Sequence, residues 1–383
     1  MADKEASRRR VAIVVGTRPE IIKMAPVIHQ IEALLGDGSA LVINTGQHYD
    51  QSMSGQFWPE LGLAAPEVCL DGGGLTRAEC IGSLTYELGR LFARHRPAAV
   101  LVQGDTNTTV AAALAANGEN IPLVHVEAGL RSFDRAMPEE HNRVVTDHLA
   151  DLCCAATPAN VSNLLSSAIP ADRVALTGNT IVEAVQAQLP TAPDRAAILG
   201  SHGLTTDRYI LATIHRPENT DDPENLATIL IALAKLSERM PVVFPLHPRT
   251  RIAAKLAGVD IHLESLRVLE PVGAREFLAL AAHAAVLISD SGGVAEEVTV
   301  LKRPLVVVRR STERAESIDA GFAQPVRPPQ ILDAVASVLD DHDEILARLA
   351  RTPSPYGDGN AASLIARFTL DLVSLGDQVG PPI

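Results

Sequence analysis

Short apolar runs, each ending in a polar cluster and followed by a helical stretch, recur along the whole chain and leave few folds open to it. Val11–Val15, Ala40–Thr45, Ala98–Gln103, Leu123–Val126 and Leu152–Ala155 form one series. Tyr209–Ile214, Pro241–Leu246, Ile261–Leu263, Ala285–Ile288 and Leu305–Val308 form a second. Apolar strands alternating with amphipathic helices are the pattern of an α/β fold with a parallel sheet. A chain of 383 residues exceeds what one core usually organises, so two domains are expected. The Thr177-Gly178-Asn179-Thr180 turn and the Pro- and Asp-containing stretch from Leu189 to Arg195 place the boundary. Residues 1–183 then form an N-terminal Rossmann-like domain and residues 184–360 a second one. From Ala361 the spacing of Leu364, Phe368 and Leu372 predicts a helix within 361–383 that packs back on the N-terminal domain. The expected architecture is two doubly wound parallel sheets facing a deep cleft, with ligands at the carboxyl ends of the strands.

Bulk properties narrow the partners. A net charge of −13 argues against nucleic acid and gives no reason to expect a membrane surface. The first ten residues are charged and lack an apolar leader core, and no apolar run reaches 18 residues. Aromatic residues are only 3% of the chain, so the core should be small and aliphatic. Cys69, Cys80, Cys153 and Cys154 show no CxxC spacing and two are adjacent. That excludes a disulfide framework or a cysteine metal site and points to a reducing cytoplasm.

The polar clusters carry the chemistry. After Leu287-Ile288 comes Ser289-Asp290-Ser291-Gly292-Gly293, then a helix opening toward Glu296 and Glu297. A strand, a glycine turn and a helix N-terminus together make an anion site. Gly292 and Gly293 admit a diphosphate close to the backbone, Ser291 donates a hydroxyl, and Glu297 is placed for two ribose hydroxyls. After the first strand, Arg18-Pro19 opens a helix and Lys23 follows one turn on. That pair is either a solvated helix start or a phosphate clamp. Asp105, in Gln103-Gly104-Asp105-Thr106, is either an ordinary N-cap or a functional acid. Glu127 leaves an apolar strand directly, so its carboxylate is buried and needs a partner. In Pro138-Glu139-Glu140 the acids sit in a helix first turn, with Arg143 one turn behind. His215-Arg216, His247-Pro248-Arg249 and the Arg309-to-Arg314 stretch follow strands of the second series.

Taken together, these segments closely resemble the bacterial and archaeal UDP-N-acetylglucosamine 2-epimerases. The matching motifs are GTRPEIIKMAPV, TGQHYD, QGDTNTT, HVEAGLRS, MPEEHNR, TGNT, HRPENTD, HPRT, SDSGGVAEEV and TERAE, in order from residue 16 to residue 316. The resemblance implies a GT-B-like pair of Rossmann domains, a UDP-sugar substrate, no cofactor, no metal, and a homodimer. It implies interconversion of UDP-GlcNAc and UDP-ManNAc through loss of UDP to 2-acetamidoglucal and re-addition. Asp105, Glu127 and Glu139 are then the carboxylates at the sugar, sharing proton removal and return at C2. Lys23 is the active-site lysine, and His215 stabilises departing UDP as a hydrogen-bond donor or a cation. Arg18, His48, Arg143, Ser291, Gly292, Gly293 and Arg314 contact substrate, Glu297 the ribose, and the loop from Pro271 to Phe277 the uracil. Gln47, Arg216 and His247 match parts of the family's second, activating UDP-GlcNAc site.

Two departures stand out. The interval from Arg131 to Glu139 is shorter than in many bacterial members and follows the archaeal pattern. Ala295 stands where SGGxQEE has glutamine. The alternatives are a hydrolysing epimerase releasing ManNAc and UDP, an epimerase of a related UDP-2-acetamido sugar in aminosugar metabolite synthesis, a GT-B glycosyltransferase, and a silent nucleotide-sugar sensor.

Overall fold

The computed structural model describes residues 10–47, 58–310 and 314–378. The chain divides into two compact units, Met1–Ala184 together with Gly357–Ile383, and Val185–Tyr356. In the first unit the described strands are β1 (Val11–Val15), β2 (Ala40–Asn44), β3 (Val68–Cys69), β4 (Ala99–Gln103), β5 (Leu123–Ala128), β6 (Leu152–Ala155) and β7 (Val174–Leu176). They pair in parallel in the order β3-β2-β1-β4-β5-β6-β7. The second unit contains β8 (Ile210–Thr213), β9 (Val242–Pro245), β10 (Arg267–Leu269), β11 (Val286–Ser289), β12 (Leu305–Val308) and β13 (Ala323–Val326). These are also parallel, in the order β10-β9-β8-β11-β12-β13. Each sheet reverses its winding once, between β1 and β4 and between β8 and β11. In open parallel sheets ligands bind beyond the carboxyl ends at that reversal.

Central strands are buried on both faces, which is why they read as continuous apolar runs. Alternate residues of one strand serve opposite cores: Cys154 joins the cluster of Ile13, Met24 and Ile365, and its neighbour Cys153 joins that of Val14, Leu88 and Phe92. All four cysteines are free thiols. The helix Asn107–Gly118 buries Ala111, Ala112, Ala113, Ala115 and Ala116, small side chains that let it lie close to both the sheet and the helix Arg77–His95. The helix Ala361–Gln378 packs on the helix Arg18–Leu35 of the first unit. Its first turn is tied there by the Ala362 N–H donating to Glu183 Oε1 at 2.7 Å.

Four details differ from the sequence expectation. Ile261–Leu263 is not a strand but part of the 3-10 turn Asp260–Ser265, and Ile261 is 60% exposed. Three apolar-flanked residues are too few to define a buried face; the strand forms one step later, where Arg267 pairs with Val243. β3, β7 and β13 were not anticipated. All three lie at a sheet edge, where half-exposed residues, and in β13 Gln324 and Pro325, weaken the apolar signal.

Candidate functional site

In the first unit the acidic residues lie at the end of β5, in the turn after β4 and in the first turns of the helices that follow β1 and β5. Register between β5 and β6 runs from Val126–Cys154 to Ala128–Ala155, so Glu127 is the extra residue of a bulge. Its φ is +66°, a left-handed conformation costing a non-glycine residue about 1–3 kcal/mol. Bulges re-aim side chains, and this one turns a carboxylate that is 7% exposed onto the Lys23 ammonium at 2.5 Å. The side-chain amides of Gln103 and Asn179 donate to the same oxygen at 3.0 and 3.4 Å. The expected partner of Glu127 is therefore a lysine on another segment. Asn179, in a turn read from sequence as a boundary and as a family motif but given no role, belongs to this cluster.

Gly129, two residues on, has φ +79°, and a Cβ there would lie 2.4 Å from the Asn160 carbonyl oxygen. Gly129→Ala is therefore expected to destabilise the unit by about 2–5 kcal/mol. Urea unfolding followed by fluorescence of Trp58, the chain's one tryptophan and buried in this unit's core, reads the effect; an unchanged midpoint contradicts it.

Asp105 is not the helix cap that its position allows. Thr106 takes that role, its hydroxyl accepting the Thr109 N–H, which frees Asp105 to pair with Arg143. Arg143, almost fully buried, also holds Glu140 at 2.9 Å. Its neighbour Asn142 donates to the Asp105 carbonyl at 2.9 Å. Glu140 in turn accepts the Ser132 N–H at 2.8 Å and the Phe133 N–H at 3.2 Å, fixing the loop before the helix Pro138–Leu149. Of the two adjacent acids, Glu140 is structural, whereas Glu139 is exposed on the helix's first turn.

Sequence reasoning passed over Glu20, three residues into the first helix from Thr17. It is 2% exposed, and Oε2 accepts the Gly16 N–H at 3.0 Å and the Thr17 hydroxyl at 2.8 Å. Oε1 accepts the hydroxyls of Thr106 at 2.8 Å and Thr109 at 3.3 Å. One carboxylate thus joins the turns after β1 and β4, which flank the winding reversal. The Thr-x-x-Glu spacing was the available signal. Burial pushes its pKa up to about 7, outweighing these hydrogen bonds. A folded pKa above the unfolded one favours folding at low pH, and that contribution is lost as pH rises through 7. Glu20→Gln, neutral throughout, should gain about 3 kcal/mol relative to the parent between about pH 4.5 and 8. Parallel stability curves in Trp58-monitored unfolding would refute this.

Arg18 is half-buried at the start of the same helix. Gln47 accepts from the Thr108 N–H and hydroxyl at 2.9 and 3.0 Å. His48 lies outside the described residues.

In the second unit, His215 ends the turn after β8 and Ser291–Gly293 follows β11, one on each side of that sheet's reversal. Asp290, fully buried, fastens them together. It accepts the N–H of His215 at 3.1 Å, of Arg216 at 2.9 Å, and the Asn219 amide at 3.0 Å. The His215 ring Nδ1 lies 3.4 Å from the same carboxylate. Burial lowers the His215 pKa, Asp290 opposes this, and Arg216, His247 and Arg249 reinforce it. The net lowering favours the neutral ring of the two forms open from sequence. His247 lies beside it, ring centroids 5.7 Å apart, and its side chain caps the next helix by accepting the Arg249 N–H.

Ser291 is the N-cap of the helix Gly292–Leu301, yet its hydroxyl makes no capping bond. A Cβ on Gly293 would meet nothing nearer than Ser291 Oγ at 3.7 Å. The chain's own packing does not demand glycine there, and the open space at this helix N-terminus has room for an anion. Glu297 sits one turn in, half-buried. Its buried neighbour Glu296 holds Arg314 Nε at 2.8 Å. Pro271 is exposed after β10, and Phe277 is half-buried in the helix Ala274–His283. Among the described residues no three His, Cys, Asp or Glu side chains are grouped to hold a metal ion, and no helix is long and apolar enough to cross a membrane.

A family model described as UDP-N-acetylglucosamine 2-epimerase matches residues 36–370. The chain belongs to the UDP-N-acetylglucosamine 2-epimerase family. A UDP-N-acetylglucosamine 2-epimerase of Methanococcus maripaludis is 37% identical over 368 residues, 94% of this chain and 98% of that protein. A UDP-2,3-diacetamido-2,3-dideoxy-D-glucuronate 2-epimerase of Pseudomonas aeruginosa is 33% identical over 374 residues, 95% of this chain and 100% of that protein. The crystal structure of the Methanocaldococcus jannaschii UDP-GlcNAc 2-epimerase in complex with UDP-GlcNAc and UDP matches with a TM-score of 0.84 at 36% identity. That match covers 94% of this chain and 99% of that one. The protein is thus a 2-epimerase-type isomerase.

Proposed function

We propose that this 2-epimerase reversibly inverts C2 of UDP-GlcNAc to give UDP-ManNAc. The observation that carries the reading is the strained, bulged Glu127, held against Lys23 at the carboxyl end of β5. The second unit takes the UDP moiety: Ser291, Gly292, Gly293 and Arg314 on the diphosphate, Glu297 on the ribose, Pro271 and Phe277 by the uracil. The first unit supplies the acids Asp105, Glu127 and Glu139, with Lys23, Arg18 and Arg143 beside them. A carboxylate removes the C2 proton, and the C–H electron pair forms the C1–C2 double bond as the C1–O bond breaks. Those electrons leave on the diphosphate, where neutral His215 donates a hydrogen bond. UDP then re-adds at C1 while a proton returns to the opposite face of C2. The C2 hydrogen is not beside a carbonyl, so stabilising the leaving group matters as much as the base.

Incubation with UDP-GlcNAc in D2O tests this. Deuterium at C2 and a mannosamine signal in proton NMR are expected, and recovery of unlabelled substrate alone would defeat it. Free ManNAc with UDP in the same tube would instead mark a hydrolysing enzyme. The full-length similarity to the Pseudomonas aeruginosa enzyme favours one further reading, a UDP-2-acetamido sugar with added substituents, checked by competing both substrates. We assign the reaction to the cytoplasm, in keeping with the free, buried Cys153 and Cys154. We also assign a homodimer: the helices Arg77–His95, Asn107–Gly118 and Pro138–Leu149 lie side by side and expose Tyr86, Leu114 and Val145. Gln47, Arg216 and His247 are assigned to a second nucleotide-sugar site, for which sigmoidal kinetics is the readout.

A further inference from the structure

We propose that His125 is a positioning residue, held as an imidazolium, whose two ring N–H groups clamp the three acid-bearing segments of the first unit at a fixed spacing. The proposal rests on the epimerase reading for its consequence, but its physical content is independent of substrate. His125 lies in β5, fully buried, two residues before Glu127. Its Nε2 is 2.8 Å from the Gly104 carbonyl oxygen. A carbonyl only accepts, so Nε2 carries a hydrogen. Its Nδ1 is 2.7 Å from Asp147 Oδ1. Asp147 already accepts on both oxygens, from the Gly129 N–H at 3.3 Å and, on Oδ2, from Arg131 at 2.7 Å. Such a carboxylate is ionised and has no hydrogen to give, so Nδ1 also carries one. Burial pushes Asp147 up, but the charges of His125 and Arg131 together with their hydrogen bonds bring it below the ordinary value.

The other neighbours allow the charge. Across the sheet His125 faces Val102 on β4 and Cys153 on β6. Burial pushes the Cys153 thiol up to about 12, so it adds no negative charge. Asp147 lies in the last turn of the helix Pro138–Leu149, where the helix dipole favours the cations of His125 and Arg131.

The geometry explains what the clamp does. Gly104, at φ +72°, is fixed on both sides, its N–H by Val126 O at 3.0 Å and its carbonyl by His125. The next residue is Asp105. Asp147 belongs to the helix Pro138–Leu149, which carries Glu139 and Arg143, and it also anchors the Gly129 turn that follows Glu127. One side chain on β5 therefore sets the spacing of Asp105, Glu127 and Glu139 without reaching substrate.

Two readouts test this on the full-length enzyme. His125→Gln keeps one donor nitrogen in place of two and cannot serve both partners. It is expected to lower kcat for UDP-GlcNAc epimerisation about 10–100-fold, as supporting contacts around reactive groups do, with KM changed less than about threefold. Affinity for UDP, measured by calorimetry, should stay unchanged, because the residues assigned to UDP belong to the other unit. An unchanged kcat, or a KM effect alone, overturns the positioning role. The second readout is the ring nitrogen-15 spectrum of the wild-type protein, which serves even if the variant fails to fold. Under the conditions of the kinetic assay one exchange-protected histidine should show both ring nitrogens protonated, and a protected ring with an unprotonated nitrogen overturns the proposal. Should the wild-type enzyme leave UDP-GlcNAc unchanged, the substrate reading fails while the spectrum still decides the charge of His125.

Discussion

Glu127→Gln is expected to lower epimerisation of UDP-GlcNAc about 10²–10⁴-fold, the range for loss of a positioned general base or acid, while UDP binds as before. The variant keeps an oxygen for the Lys23 and Gln103 donors, now at 2.5 and 3.0 Å, but the Lys23 ammonium loses its counter-charge, so a loss of stability accompanies the loss of activity. What disappears is the ability to take a proton. Deuterium uptake at C2, followed by NMR in D2O, separates proton transfer from release of UDP. Full exchange by the variant would remove Glu127 from the chemistry and leave Asp105 or Glu139 as the base.

The second large effect is on stability. Lys23→Met strands the Glu127 carboxylate in a site where both partners are less than a tenth exposed. Removing one member of a buried pair costs about 3–5 kcal/mol, whereas replacing both with neutral groups is often close to neutral. The double variant Lys23→Met with Glu127→Gln should therefore recover most of the stability lost by Lys23→Met alone, yet remain inactive. In the single variant the stranded acid takes up a proton rather than stay charged, so its deficit should shrink as pH falls. Urea unfolding followed by Trp58 measures all three proteins. Losses that simply add would mean that the ion pair is not coupled.

Much of the arrangement is legible in the sequence. The alternation of runs such as Val11–Val15 and Val286–Ser289 with amphipathic helices is a local property, and it sufficed for parallel sheets with polar clusters at one edge. Misreadings arose where local signal was thin: Ile261–Leu263 against the real strand Arg267–Leu269, and the edge strands β3, β7 and β13. Asp105 and Thr106 both have the chemistry of a cap, and only the turn after β4 decides between them. Glu139 and Glu140 are adjacent and alike in sequence, but one is exposed and the other pairs with Arg143.

Which residue types stand at which strand end was thus determined by the sequence alone, because periodicity and turn chemistry act over a few residues. Who pairs with whom was decided only by the tertiary structure. Lys23 and Glu127 are 104 positions apart, His215 and Asp290 are 75, and Glu20 and Thr106 are 86. No local pattern encodes such partners. The left-handed backbone at Glu127, the raised pKa of Glu20 and the lowered pKa of His215 belong to that tertiary arrangement, since a charge removed from water is set by its nearest neighbours.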